Sequence, residues 1–167
     1  MITVALPILN KALFASVVAL GFGLISNPPR RAIGAILTTA FLGYLLRAGM
    51  LDLWNMPIFV SVFFSALLMG CCGLLLGKLT HTPATVIYIP ALLPMIPGMY
   101  AYKAIFAFIH FMQNIEMAEK ALYLDQFFTY FAYTIGILVC LALGSILPMF
   151  VFTKTANSLT RSCPPCK

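Results

Sequence analysis

Residues 87–104 read IYIPALLPMIPGMYAYKA, a run almost as apolar as a lipid tail that nevertheless contains three prolines and a glycine. A proline inside a helix removes one backbone hydrogen bond and clashes with the preceding turn, at a cost of about 3 kcal/mol. Hydrocarbon makes the loss worse, because no water replaces the missing partner. The interpretation of this stretch therefore depends on whether lipid surrounds it.

The composition of the chain indicates that lipid does surround it. Of the 167 residues, 62% are hydrophobic and only 8% are charged, and the mean hydropathy is +1.03. A soluble domain has about 25% charged residues, so this sequence predicts an integral membrane protein. Residues 1–152 are expected to form a transmembrane helical domain, and residues 153–167 a polar, disordered cytoplasmic tail. The start of the sequence lacks the features of a cleaved signal peptide.

Five apolar segments of the chain are the candidate membrane spans. They cover residues 2–25, 32–46, 57–76, 84–112 and 127–152. The predicted fold class is therefore an all-α membrane protein with about five transmembrane helices, the fourth broken by Pro94, Pro97 and Gly98.

The basic residues predict the orientation of these spans. With five spans, one side of the membrane receives Arg30, Arg31, Lys78, Lys154, Arg161 and Lys167, and the other receives Lys11, Arg47 and Lys120. Basic residues are enriched on the cytoplasmic side, which predicts the N-terminus outside and the C-terminus inside. Arg47 is expected to extend to the lipid headgroups. The net charge of +6 is interpreted as serving orientation and headgroup contact, not nucleic-acid binding.

Small residues recur at helical spacing in the third and fifth segments. The predicted packing positions are Ala66, Gly70, Gly73 and Gly77 in one segment and Ala132, Gly136 and Gly144 in the other. Such stripes let helix backbones approach closely in lipid. They fit packing inside the chain's own bundle, and they also fit packing against a partner subunit or a second copy of the chain.

The interrupted fourth segment is the candidate substrate path. Non-helical backbone at membrane depth is tolerated only where protein buries it or where it lines a water-filled cavity. A break there presents carbonyls and N–H groups that bind ions, carboxylates or ammonium groups, as in transporters with discontinuous helices. The predicted path residues are Pro94, Pro97, Gly98, Tyr100, Tyr102 and Lys103. The alternative is a proline kink whose freed backbone groups are satisfied by neighbouring helices, without a ligand.

The remaining chemistry-bearing residues predict no enzyme, no cofactor and no metal site. The sequence contains none of the common hydrolase, metalloprotease or nucleotide-binding motifs. Cys163 and Cys166 form a CPPC motif without a second ligand pair, so a disordered tail is favoured over a zinc or redox site. His81 is interpreted as a solvated loop residue. His110 is interpreted as an interfacial residue, with a coupling-proton carrier as the alternative.

Three motifs, in order along residues 1–152, resemble the C-terminal half of the threonine/serine exporter (ThrE) family, and in particular its stand-alone small subunit, the YjjB-like proteins. The motifs are Gly21-Phe22, Asn27-x-Pro29-x-Arg31-Ala32 and Pro94-x-x-Pro97-Gly98-x-x-x-Tyr102. The resemblance implies an inner-membrane exporter of small hydrophilic metabolites, either threonine and serine or dicarboxylates such as succinate. It also implies a larger membrane subunit that resembles the family's N-terminal half.

Two functional hypotheses follow from the sequence. In the first, the chain is a subunit of a secondary exporter and the break contributes to the substrate path. In the second, it is a structural or assembly subunit whose small-residue stripes dock a separate, transport-competent partner.

Overall fold

The computed structural model describes residues 2–113 and 117–152, with side chains described for residues 6–113 and 119–152. The helices are α1 (Ile2–Ile25), α2 (Arg30–Asp52), α3 (Ile58–Thr80), α4 (Ala84–Leu92), α5 (Gly98–Gln113) and α6 (Met117–Val151), with a 3₁₀ turn at Leu93–Met95. No strand occurs in these described ranges. The predicted all-α membrane fold is confirmed. The predicted tail, residues 153–167 with Cys163 and Cys166, lies outside the described residues.

Four of the helices are long and apolar enough to cross a membrane, and a fifth span is added if α4 and α5 count as one broken span. The first predicted segment matches α1, whereas the fifth was predicted to begin at residue 127 and the helix begins at Met117. A helix of 35 residues is about 52 Å long, against about 30 Å of hydrocarbon. Residues such as Glu119 and Lys120 favour helix but are too polar to belong to the apolar run. Hydropathy therefore predicted the membrane span and missed the first part of the helix.

Three of the connections between helices repeat one turn. Asn27, Asn55 and His81 each have a left-handed backbone, with φ of 47°, 46° and 53°. Two residues after each of them a proline occupies the N-cap of the next helix, at Pro29, Pro57 and Pro83. Asparagine tolerates the left-handed region, and proline at the N-cap needs no N–H donor. The same short turn, a left-handed residue followed two positions later by a proline, therefore ends α1, α2 and α3 and starts the helix that follows each of them. His81 is exposed.

Helices α1 to α4 pack as antiparallel neighbours. A Cβ on Gly23 of α1 would lie 3.1 Å from Ile36 Cδ1 of α2, and nearer the other ends of these helices Lys11 Nζ lies 2.8 Å from Asp52 Oδ2. Helices α3 and α4 are in contact at Gly77 with Ala84 and at Gly73 with Tyr88. In each helix pair the residue number rises along one helix as it falls along the other, which is the antiparallel arrangement that short helix connections produce.

Helix α6 instead runs parallel to α3. A Cβ on Gly144 would meet Phe63 and Ala66, and a Cβ on Gly70 would meet Ser145 and Pro148. The residue numbers therefore rise in the same direction along α3 and α6. A chain that leaves α3 on one side of the membrane and enters α6 in the same direction has to cross back once in between. The parallel packing therefore favours α4 and α5 as one broken span over a re-entrant loop.

The described chain forms two compact units, residues 2–95 with 140–152, and residues 96–139. The second unit consists of α5 and the first part of α6, held by aromatic contacts. Tyr100 stacks on Tyr133 with ring centroids 5.6 Å apart, and the Phe108 and Phe127 rings are 5.3 Å apart. Ala104 and Ala107 are the buried residues of α5.

Candidate functional site

The predicted break lies where the prolines placed it. Pro90 is accommodated inside α4, the 3₁₀ turn Leu93–Met95 contains Pro94, and α5 begins at Gly98. The N–H of Gly98 donates to the carbonyl of Ile96 at 2.8 Å, and the N–H of Tyr100 donates to the carbonyl of Pro97 at 3.1 Å. The N–H groups of Gly98 and Tyr100 are therefore satisfied within the corner.

Gly98 has an ordinary backbone conformation at this corner. No glycine with a positive φ occurs in the described chain, and a Cβ added to Gly98 would meet nothing within 4 Å. The first residue of an α-helix takes an ordinary helical φ, so Pro97 and not Gly98 fixes the corner. Gly98 is exposed and Pro97 is buried.

On its α4 side, the break is covered by protein. Met95 is 1% exposed, and its Sδ lies 3.6 Å from the hydroxyl of Ser65, which is itself fully buried on α3. Pro94 is half-buried. Irregular backbone at membrane depth requires such cover, and the Ser65 hydroxyl adds a polar contact to Met95.

Of the predicted path residues on α5, Tyr100 and Lys103 contact α6, whereas Tyr102 is exposed. Tyr100 stacks on Tyr133, and Lys103 Nζ lies 5.4 Å from the centroid of the Tyr130 ring, so both contact α6. Tyr102 is 61% exposed and stacks on Phe106 of its own helix. A cation over a tyrosine face is attracted to the ring, so Lys103 has a partner within its own unit.

The predicted packing residues differ in burial. Ala66, Gly70, Gly73, Gly77 and Gly144 are buried, and a Cβ on Gly70 or Gly144 would lie 2.7 Å from a backbone oxygen of the opposite helix. Ala132 is exposed and Gly136 is half-buried. The small residues of α3 therefore contact α4 and α6 of the same chain.

Buried hydroxyls form a feature that the sequence reasoning did not single out. Ser16, Thr39, Ser61 and Ser65 are each 7% exposed or less. Each hydroxyl donates to a carbonyl three or four residues earlier in its own helix. Ser61 and Ser65 are one turn apart, and this spacing in an otherwise apolar segment was the signal that could have found them.

The side chain of Arg47 lies against its own helix. Its guanidinium carbon lies 5.6 Å from the centroid of the Tyr44 ring, which is one turn earlier in α2. The end of α2 nearest Arg47 is Asp52. The side chain points away from that end, toward the N-terminus of α2, which is the usual direction for side chains on a helix. Its Nε is buried, with no hydrogen-bond partner among the described residues.

The histidines and cysteines of the described residues form no group that could hold a metal. His110 stacks on Tyr123, with ring centroids 5.1 Å apart, and meets the edge of Phe106 at 4.5 Å. Cys71, Cys72 and Cys140 are half-buried free thiols. His110 is thus held by aromatic packing on α5 and α6.

Two open apolar grooves lie in the first unit. One, of about 310 Å³, is lined by Cys71, Leu74, Leu75, Lys78 and Phe152. The other, of about 390 Å³, is lined by residues of α2, the following turn and Leu68. Neither contains a residue of the break, and apolar grooves on a membrane protein are suited to lipid chains.

The chain belongs to the threonine/serine exporter (ThrE) family, whose model matches residues 11–151. The match covers α2 to α6 completely and most of α1. The resemblance seen in the motifs is therefore confirmed. This is a family of membrane transport proteins, and the chain is accordingly a multi-pass membrane protein.

A protein of Haemophilus influenzae, described as uncharacterized, is 32% identical over 151 residues, which are 89% of this chain and 49% of that protein. The chain thus spans about half the length of this curated relative. No solved structure matches the chain.

Proposed function

We propose that the chain is a subunit of a secondary exporter of small hydrophilic metabolites, either threonine and serine or dicarboxylates such as succinate. It works with a larger membrane subunit in the bacterial inner membrane. The observation that carries the proposal is the broken span at Pro94, Pro97 and Gly98 in a chain of the threonine/serine exporter family.

The physical support for a substrate path comes from the cost of the break. A membrane helix that needs only to span has no reason to accept three prolines, because each removes a backbone donor in a medium without water. The ends of two half-helices present partial charges of opposite sign, and a polar substrate that leaves water needs such groups. Transporters place broken helices at their substrate sites for this reason.

The alternative, an assembly subunit that docks a transport-competent partner, rested on the small-residue stripes. The glycines of α3 contact α4 and α6 of the same chain. A stripe that is used for internal packing is not free to dock a partner, and this favours the exporter function over the assembly function.

Metabolite efflux tests the proposal directly. Cells that lack the chain would be loaded with threonine or succinate, and efflux would be compared after restoring the chain, the larger subunit, or both. We expect efflux only when both are present. Efflux that is equal with and without this chain would contradict the exporter function.

The proposed orientation, with the N-terminus outside and the C-terminus inside, is tested by a reporter that is active only outside the cytoplasm, fused after Lys167. Five spans predict no activity there and strong activity for a fusion in the loop after α2, at Asn55. Activity at both positions would mean that α4 and α5 do not cross the membrane together.

A further inference from the structure

We infer that Arg47 is a binding group for the carboxylate of a small metabolite, at the level in the membrane where the α4 segment breaks. The inference rests on the proposed export function and names the chemical group that the substrate must carry. Three independent observations support it: the direction of the side chain, the position of Arg47 relative to the break, and the distribution of acids.

Arg47 lies on the buried face of α2. Ile36, Ala40 and Gly43 are buried at steps of four and three residues, and Met50 is buried seven residues further on. The half-buried Arg47 lies between them, four residues after Gly43 and three before Met50. Residues at this spacing share one face of a helix. The side chain turns back over Tyr44 and not past the end of α2, and its Nε is shut off from solvent without a hydrogen bond.

The helix contacts place Arg47 at the level of the break. A Cβ on Gly43 would overlap the side chain of Met69 on α3. Because α2 and α3 run antiparallel, one turn further along α2, at Arg47, corresponds to one turn back along α3, at Ser65. The hydroxyl of Ser65 lies 3.6 Å from Sδ of Met95, the last residue of the 3₁₀ turn. Arg47 thus shares its level with a buried hydroxyl and with the end of α4.

No acid of the first unit is available to neutralise Arg47. Asp52 is the sole Asp or Glu in the sequence of residues 1–95 and 140–167, and it is paired with Lys11 at 2.8 Å. The Tyr44 ring attracts the guanidinium of Arg47, but a ring face is not a countercharge, and a guanidinium at membrane depth is costly without one. It is also the group best suited to hold a carboxylate, through two parallel hydrogen bonds. An anion from outside the unit is therefore the natural partner.

Thermal unfolding of the purified full chain in phosphatidylcholine nanodiscs tests the inference. Threonine and succinate share a carboxylate, and threoninol carries the amine and hydroxyl of threonine without it. We expect both carboxylates to raise the Tm and threoninol to have no effect. Arg47→Gln should weaken the response to the carboxylates about 10- to 100-fold, the range expected for a lost charged hydrogen bond.

The matched control is Arg30→Gln, which removes the same charge from an exposed position at the start of the same helix, and it should respond like the wild type. Arg47→Lys keeps the charge and loses the planar fork, so its response should be intermediate. It also serves as the test if Arg47→Gln fails to fold.

Three results would overturn the inference. They are no response of the wild type to either carboxylate, equal responses of the wild type and the Arg47 variants, and a response only to added phosphatidylglycerol, which would assign Arg47 to a lipid phosphate. Efflux that is independent of the chain, together with Arg47-dependent binding, would instead reject the export function and leave the carboxylate site standing.

Discussion

Helix α6 belongs to both compact units, and it packs differently in each. Near its C-terminal end, Gly144 and Ser145 meet the backbone of α3 at distances that leave no room for a methyl group. In its earlier part, Tyr133 stacks on Tyr100 of α5, and the Tyr130 ring is tilted against the same ring. Close backbone packing holds two helices in one arrangement, whereas ring contacts allow offset and tilted arrangements of similar energy.

This difference predicts which substitutions each unit tolerates. Large exposed side chains occur in both units, but the first unit buries many hydroxyls, glycines and alanines between its helices, whereas the buried hydrophobic residues described in the second unit are Ala104, Ala107 and Ile137. We expect the first unit to be rigid and sensitive to added volume, and the second to be sensitive mainly to lost ring area. Three substitutions examine this contrast.

The largest effect is expected for Gly144→Ala. The added Cβ would lie 2.7 Å from the carbonyl oxygen of Phe63 and 2.9 Å from Cβ of Ala66, so the helices have to separate. Overpacking of this kind costs about 1–3 kcal/mol, and the apparent Tm in detergent should fall. Gly34→Ala is the matched control, because its Cβ would meet nothing within 4 Å. Equal Tm values for the two variants would refute the close packing of α3 and α6.

A smaller effect is expected for Tyr100→Leu, which keeps an apolar side chain and removes the stacked ring. Aromatic pairs contribute about 0.5–1.5 kcal/mol beyond their buried area. Hydrogen exchange of α5 should therefore become faster while exchange in α1 to α3 is unchanged. Tyr102→Leu, at an exposed position of the same helix, should change exchange less. Uniformly faster exchange across the whole chain would show that the two units do not differ in this way.

The smallest effect on stability is expected for Gly98→Ala. The glycine has no positive φ, and its Cβ would meet nothing within 4 Å, so the Tm should stay within error of the wild type. The more informative measurement is export by Gly98→Val, which fills the open space next to the corner. Lost export at an unchanged Tm would support a substrate path there. A large fall in Tm for Gly98→Ala would show that the corner is as tightly packed as Gly144.

Much of the candidate site could be predicted from the sequence, because prolines act locally. Pro94 and Pro97 interrupt a helix whatever surrounds them, and the break occurs between Met95 and Gly98 as expected. The role of Gly98 could not be predicted, since Pro-Gly fits both a left-handed corner and an ordinary helix start. Arg47 was missed for a related reason: its spacing from the end of α2 allows extension to the headgroups, and only Tyr44 and the buried face of α2 decide its direction.

The sequence by itself determined that the chain lies in a membrane, that it is helical, and that its fourth segment is broken. These properties depend on composition and on the backbone chemistry of single residues. Only the tertiary structure decided that α3 runs parallel to α6, that Ser65 covers Met95, and that Arg47 shares their level. Each of these depends on residues that are far apart in the chain, and the hydropathy of a helix does not say which neighbour buries which face.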